Sequence, residues 1–482
     1  MIKSKLIQIF KQLDVRELNR LEKYIQSPFF NKHQDVLRLF EYLIHFAPDF
    51  EHPQLQKKAV LKALDLEQNT THFYHITSYL LELACDFLAY LEQEQNKLQH
   101  KSYTIKALRR RGLKKQIPAS IRQFKSIEKS TLVSENQLYL EQYVFFDELD
   151  TLFLEQSSST LDENVQLKSN HLDLFYLSSK LKIACDMLSR NIIIKADYDC
   201  HLMPELMHYL EQNLAKYNAY PIISLYYKVH QMLTEKEESY YYTLKNALLQ
   251  ETPKLTTEEA KSMYDYAENY CIRKINSGQS NYYQEFLDLY KVQLQLGTLL
   301  KDGYLSEQDY KNIVTAGVRT KDYDWTEAFI HSNKRALKMA VRENAFIYNL
   351  AAFYYATKQY TKALRALNDV DFTELTYHLG AKDIQLKIYY ELGESEAFSS
   401  LVQAFRIYVK RNKQLSEYRK EVYFNYLKIA KKIEALKEKK PYISLEKFQK
   451  EKTALDHEIQ SIKSIANSDW IEVVWGVVCE SC

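Results

Sequence analysis

The chain has 482 residues and a formal net charge of +2, and it contains only eight glycines and eight prolines. Average usage would give roughly 34 glycines and 24 prolines at this length. Since β-sheet proteins need turn residues every few positions, this scarcity favours an all-α fold of long helices with short connections. No two glycines lie within four residues of each other, which excludes phosphate-binding glycine loops, dinucleotide fingerprints and nucleophile elbows.

The N-terminal stretch MIKSKLIQIFKQLD is typical of an amphipathic helix and lacks the apolar run and cleavage site of a signal peptide. No run of about 18 apolar residues occurs, so no membrane-spanning helix is expected. The six cysteines lie mostly in helical patterns, as in reduced cytoplasmic proteins. Cys185 borders an apolar helix face and is predicted to be a buried structural thiol. These features predict a cytoplasmic protein.

Local signals mark the starts of helices. Capping-box spacing is found at Asp14–Glu17 and again at Thr256–Glu259. The stretch SPFFNKHQDVLRLF predicts a break between two helices, because proline disfavours helix in the residue before it. In this turn, Phe29 and Phe30 are expected to pack inward, and Asn31 is expected to cap the next helix.

A basic segment follows the N-terminal region. Between Lys97 and Lys129 there are eleven lysines and arginines and a single acid, Glu128, so the segment carries +10 and the rest of the chain −8. Gly112 is predicted to end one helix and Pro118 to open another. The cations predicted to contact an acidic partner or phosphate groups are Arg109, Arg110, Arg111, Lys114, Lys115, Arg122, Lys125 and Lys129.

Three interpretations of the basic segment remain open. It can lie along acidic helices of the same chain, bind an acidic partner protein, or bind the phosphate backbone of a nucleic acid. The overall pI of about 7.9 is modest for a nucleic-acid-binding protein. Aromatic residues are also few here, since only Tyr103 and Phe124 fall within the segment.

The stretch NLAAFYYATKQYTKALRAL matches one tetratricopeptide unit, in which small residues let two helices approach and aromatic residues fill the space around them. Similar stretches lie about 35 residues away on both sides: TKDYDWTEAFI upstream and LKIYYELGE downstream. Such spacing predicts helical hairpins stacked as a degenerate tetratricopeptide-like superhelix. The residues predicted to pack the repeats are Trp325, Ala328, Leu350, Ala351, Tyr354, Tyr360, Ala363, Leu367 and Tyr389.

The patterns divide the chain into five segments. A helical N-terminal region (1–96) precedes the basic segment (97–133), helical hairpins (134–218) and the tetratricopeptide-like repeats (219–465). The last segment, 466–482, is predicted to be an atypical apolar tail. It is rich in β-branched residues and ends in the sequence CESC.

Five stretches together carry a family resemblance: SPFFNK, ALRRRGLKK, FYLSSKLKIACDMLSR, KNIVTAGVRTKDYDWTEAFI and LKIYYELGE. As a set they resemble an uncharacterised Bacteroidota family of helical proteins of roughly 500 residues, and the resemblance extends to Trp470. It implies a cytosolic tetratricopeptide-like protein and supplies no catalytic residues. The last dozen residues depart from the family's usual amphipathic ending.

No metal, cofactor or catalytic site is predicted. The histidine groups HFYHI and DYDCHLMPELMH lack a second ligand pair at a known spacing, and the terminal pair Cys479 and Cys482 lacks the setting of a redox motif. The sequence therefore predicts a non-enzymatic scaffold or adaptor for a protein or peptide. The alternatives are a nucleic-acid-associated regulator that uses residues 97–129, and an enzyme with no recognisable motif.

Overall fold

The computed structural model describes residue 2 and residues 4–130, 134–155, 161–194, 196–368, 374–462 and 464–480. Within these ranges the chain forms 24 α-helices, five short 3-10 helices and no β-strand, which confirms the all-α prediction. No helix in the described ranges has the length and apolar content needed to cross a membrane.

The chain forms two compact units. The first comprises residues 1–183 and 204–208, and the second comprises 184–203 and 209–482, so the division falls within α9 and again within α10. The helices that begin in the first unit are α1 (Lys5–Phe10), α2 (Val15–Gln26), α3 (Gln34–Ile44), α4 (Lys57–Ala63), α5 (Thr70–Gln95), α6 (Lys97–Arg110), α7 (Ile117–Ser130), α8 (Glu135–Leu154) and α9 (Asn164–Ile194).

The second unit consists mainly of consecutive helices that pack in neighbouring pairs. These helices are α10 (Met203–Gln212), α11 (Leu214–Tyr217), α12 (Pro221–Thr234), α13 (Ser239–Glu251), α14 (Thr257–Asn276), α15 (Tyr282–Leu296), α16 (Glu307–Arg319), α17 (Tyr323–Ser332), α18 (Arg342–Ala356), α19 (Tyr360–Asn368), α20 (Leu375–Leu392), α21 (Ser395–Arg411), α22 (Glu417–Lys439), α23 (Leu445–Ser461) and α24 (Ser468–Glu480).

Both predicted capping boxes are present, at the starts of α2 and α14. The SPFFNK turn differs from its prediction. Asn31 does not cap α3, which begins after His33; its side-chain amide instead donates to the carbonyl oxygens of Ile25 and His33. Phe29 is 84% exposed and Phe30 38%, so neither is buried; the Phe30 ring instead stacks on Tyr24 with centroids 4.0 Å apart.

Three consecutive hairpins of the second unit, α16–α17, α18–α19 and α20–α21, close with the same backbone turn. The first helix of each pair ends at a residue with positive φ: Lys321 (62°), Lys358 (59°) or Gly393 (71°). The following N–H then donates back five residues, which is the Schellman arrangement. These bonds run from Asp322 to Gly317 (3.0 Å), from Gln359 to Tyr354 (2.8 Å) and from Glu394 to Tyr389 (2.9 Å).

The stretch with the tetratricopeptide pattern forms the α18–α19 hairpin. Ala351 and Ala363 are fully buried in one apolar cluster with Leu367, and Tyr354 and Tyr360 are partly buried against it. Leu350 is also buried, and Tyr389 packs partly buried against the next cluster along the chain.

Ala328 does not occupy a packed position, contrary to its prediction. It is exposed on α17, whereas Thr326 is fully buried. The turns at Lys321 and Lys358 are 37 residues apart, and this offset aligns Ala363 with Thr326. Trp325 is partly buried, and its ring stacks on Phe329 with centroids 5.5 Å apart.

Thr326 packs against Gly317 of α16, and this contact leaves no room for a larger residue. A Cβ atom at position 317 would overlap Thr326 Oγ1 and lie 3.1 Å from Thr326 Cβ. We expect Gly317→Ala to lower the free energy of unfolding by about 2 kcal/mol, because overpacking exceeds the gain in helix propensity. Urea denaturation measures this change.

Two further variants test the contact between Gly317 and Thr326. Gly476 is also helical but has open space around it, so Gly476→Ala is the matched control and is expected to be neutral or slightly stabilising. Adding Thr326→Ala to Gly317→Ala should recover more than about 1 kcal/mol relative to the sum of the two single changes. Additive effects would contradict the steric explanation.

The segment predicted as an atypical tail forms α24 within the core of the second unit. Trp470, Ile471, Val474 and Val478 follow helical spacing and are buried in the same cluster as residues of α20 to α23. Cys479 is partly exposed. Cys482 lies outside the described residues, as do residues 131–133 at the predicted end of the basic segment.

Candidate anion-binding surface

The basic segment forms a helical hairpin, α6 and α7. The α6 helix begins at Asn96, whose side chain accepts from the Gln99 N–H at 3.0 Å and donates to Glu141 at 2.8 Å. It ends at Arg110. Gly112, in the turn that follows, has a φ of 68°, and the Leu113 N–H closes this turn onto the Leu108 carbonyl oxygen at 3.0 Å. Glycine suits this left-handed position.

The apolar residues of α7 fix its orientation. Ile117 and Phe124 are 1% exposed, and the Phe124 ring stacks on Phe145 of α8 with centroids 3.9 Å apart and an interplanar angle of 8°. Residues three and four positions from Phe124 share this buried face, whereas residues one, two or five positions away point outward. Arg122, Lys125 and Lys129 are exposed there, as their spacing predicts.

Arg109 differs from the other predicted contact residues because it is engaged within the first unit. Its guanidinium donates to the buried Glu148 at 3.0 and 3.1 Å and also pairs with Glu155. Lys106 Nζ lies 3.0 Å from the other Glu148 oxygen. Burial lowers the pKa of Arg109, but the hydrogen bonds to Glu148 and Glu155 outweigh it and raise the pKa above its usual value.

The other seven predicted contact residues remain at the surface. We call them the basic surface: Arg110, Arg111, Lys114, Lys115, Arg122, Lys125 and Lys129. Arg111 donates to the Ala107 carbonyl oxygen of its own helix at 3.1 Å. Within the described part of the chain, no carboxylate forms an ion pair with any of the seven. Intramolecular pairing thus accounts for Arg109 and leaves seven cations facing solvent.

The cations of the basic surface can attract a polyanion but supply no chemistry. Lysine and arginine side chains on a solvated helix face keep their charge and donate to carboxylate or phosphate oxygens. A polyanion with acidic side chains or phosphate groups that docks here contacts several of these exposed cations at once. Dissolved salt screens such contacts, so the binding is salt-dependent.

The histidine groups of the sequence do not converge on a metal-binding geometry. His72 lies 2.9 Å from Asp35, and the exposed His201 lies 3.2 Å from Asp199. Across the described residues, no group of three histidine, cysteine or carboxylate side chains is placed to hold a metal ion. Cys185 is fully buried, as predicted, and burial raises the pKa of its thiol well above the usual value.

Two buried acids of the second unit carry no signal in the sequence. Glu268 of α14 and Asp383 of α20 are 5% and 8% exposed. Glu268 accepts from Gln293 of α15, and Asp383 accepts from Tyr426 and Asn467 while pairing with Lys387 of its own helix. The partners on other helices cannot be read from a local pattern of charge.

Comparisons with known proteins identify no relative of this chain. No protein-family profile, curated protein or solved structure matches it.

Proposed function

We propose that the chain is a non-enzymatic helical scaffold that binds an acidic protein or peptide through the basic surface. The observation that supports this proposal is the set of seven exposed cations on the α6–α7 hairpin, which have no carboxylate partners in the described residues. The hairpin is held by buried apolar contacts, so the cations are positioned before a partner arrives and less entropy is lost on binding.

A wider adaptor role rests on the helical pairs of the second unit. We propose that they stack as a tetratricopeptide-like superhelix, since three hairpins share one turn geometry at spacings of 37 and 35 residues. Stacked helical pairs present an extended concave surface that suits protein ligands. We propose that the chain performs this role in the cytoplasm.

Nucleic acid is the competing partner, and the aromatic residues favour protein instead. Single-stranded nucleic acid binds where exposed rings stack on bases between the cations. Phe124 is buried beneath α7, which leaves Tyr103, 56% exposed, as the one exposed phenylalanine or tyrosine ring among the described residues of the basic segment. A surface of cations with so few aromatic rings is better suited to carboxylates than to bases.

Reversing three charges of the basic surface is expected to weaken partner binding about tenfold or more. The variant is Arg110→Glu with Lys114→Glu and Lys125→Glu, compared with wild type by pulldown from native cytosol and by anisotropy with labelled poly-glutamate and duplex DNA. Binding of poly-glutamate should decline as salt is raised, because the exposed charges are screened.

The control variant combines Lys32→Glu, Lys58→Glu and Lys62→Glu, three exposed lysines elsewhere in the first unit. It changes net charge equally and should leave binding unaltered. Equal loss in both variants would indicate a general charge effect and contradict the proposal. Duplex DNA that displaces the acidic partner at equal charge concentration would favour the nucleic-acid role.

A further inference from the structure

A groove runs along the second unit between α21 and α22, and it has a volume of about 300 Å³. Its floor is apolar: Val402 and Leu427 are buried at its base, and Phe424 and Ala435 are partly exposed along it. Every residue of both helices lies in the described part of the chain.

Cations line the rims of this groove. Arg406 rises from α21, and Lys428, Lys431 and Lys432 rise from α22. Glu458 of α23 is the carboxylate that neutralises part of this charge; it lies 2.7 Å from Lys428 Nζ and also pairs with Lys432.

Arg406 and Lys431 remain without a carboxylate partner among the described residues. The Arg406 guanidinium lies 5.8 Å from the centre of the Phe424 ring, so it sits over the apolar floor. Both side chains are exposed. The groove thus joins an apolar floor to positive charge on both sides.

The lining residues indicate what shape of ligand fits. On α22 the residues Phe424, Lys428, Lys431 and Ala435 follow three- and four-residue spacing and form one stripe along the helix. An extended peptide strand needs backbone partners, and the backbone groups of both helices are already paired within them. A third helix, in contrast, packs into such a groove through side chains alone.

We infer that the α21–α22 groove binds an acidic amphipathic helix of a partner protein. The apolar face of the partner helix covers Val402, Phe424 and Ala435. Aspartates or glutamates on either side of that face pair with Arg406 and Lys431. Charge complementarity and helical spacing both favour this occupant of the groove. It does not depend on the basic surface, which belongs to the other unit.

A synthetic peptide tests this inference. The probe is a fluorescein-labelled helix with leucine at i, i+3, i+4 and i+7 and glutamate on both sides of this stripe, and its binding to the full chain is followed by fluorescence anisotropy. Arg406→Glu with Lys431→Glu should weaken binding about tenfold or more. Ala435→Phe, which fills the groove without changing charge, should weaken it about fivefold or more.

Matched controls separate the groove from general charge attraction. Lys447→Glu with Lys450→Glu changes two exposed lysines of α23 and should leave peptide affinity unchanged, as should the three-residue variant of the basic surface. A scrambled peptide of the same composition should bind at least about tenfold more weakly. Circular dichroism checks that each variant is folded.

Three results would overturn the inference. One is the absence of peptide binding to the wild-type chain. Another is an undiminished affinity of the Ala435→Phe variant, which would place the peptide outside the groove. The third is an equal loss of affinity in the α23 control. A wild-type chain that binds the peptide but not poly-glutamate would refute the proposed function alone.

Discussion

Replacing Asp383 with alanine is expected to lower the free energy of unfolding of the second unit by about 3–5 kcal/mol. This buried carboxylate accepts hydrogen bonds from Tyr426 at 2.6 Å and Asn467 at 2.8 Å, and it pairs with Lys387 at 2.6 Å. Removing it leaves the buried Tyr426 hydroxyl and the Asn467 amide without their acceptor and leaves Lys387 with the Asn467 side-chain oxygen alone, so buried polar groups bear a desolvation cost.

The loss should be largest at the C-terminal helix. Asn467, which has a φ of 52°, accepts from the N–H groups of Trp470 and Ile471 through its carbonyl oxygen and so starts α24. Without Asp383 the Asn467 side chain loses its acceptor. We therefore expect the fluorescence of the buried Trp470 to shift to longer wavelength in Asp383→Ala before global unfolding.

Urea denaturation with fluorescence detection measures both effects. Asp469→Ala is the matched control, because Asp469 is 82% exposed in its side chain and lies 3.7 Å from Arg319. An exposed pair of this kind contributes at most about 1 kcal/mol. Asp383→Asn keeps the size of the side chain, so its free energy of unfolding should lie between those of wild type and Asp383→Ala. An Asp383→Ala variant as stable as the Asp469→Ala control would show that Asp383 does not stabilise the second unit as we expect.

Replacing Glu268 with glutamine is expected to stabilise the protein at pH 8 and to change little near pH 4.5. Burial raises the pKa of Glu268 to about 7. Its carboxylate accepts a hydrogen bond from the Gln293 side-chain amide at 2.6 Å. The neighbouring charges largely oppose one another: Lys261 lowers the pKa, while Asp265 and Asp309 raise it.

The direction in which stability changes with pH follows from the pKa of Glu268 in the unfolded and in the folded chain. The unfolded chain releases the proton near pH 4.5, whereas the folded chain retains it until about pH 7. Between these values the native state binds more protons, so stability falls as pH rises through this window. The full difference corresponds to about 3 kcal/mol, present below pH 4.5 and lost above pH 7.

Urea denaturation of wild type and Glu268→Gln at both pH values is the measurement. Glutamine has no proton to lose, so the variant should gain up to about 3 kcal/mol over wild type at pH 8. Glu258→Gln, an exposed change on the same helix, should show no such pH dependence. Equal destabilisation by Glu268→Gln at both pH values would show that the carboxylate is ionised and required.

Sequence reasoning succeeded where the determinants are local. The scarcity of glycine and proline predicts the all-α fold, and the spacing of Asp14 and Glu17 predicts a cap that the structure contains. The exposure of Lys125 follows from its distance along α7 from Phe124. These outcomes depend on residues within about one helical turn.

The remaining features depend on residues that are far apart in the chain. Arg109 pairs with Glu148, 39 residues later, and Tyr426 donates to Asp383 across 43 residues. No spacing rule relates such positions. The position of Ala328 shows a related problem. A repeat offset of 35 residues from Ala363 predicts Ala328 as the packed residue, whereas the 37-residue spacing of the turns places the buried Thr326 there.

The turns at Lys321, Lys358 and Gly393 suggest how the helical pairs can diverge while their geometry persists. The bond that closes each turn joins two main-chain groups, so no particular side chain is needed to form it. A lysine in the left-handed conformation costs about 1–2 kcal/mol relative to glycine, which a packed hairpin can absorb. Substitutions at most positions of such a hairpin can therefore leave its closing turn intact, since the backbone conformation and not the side chains defines that turn.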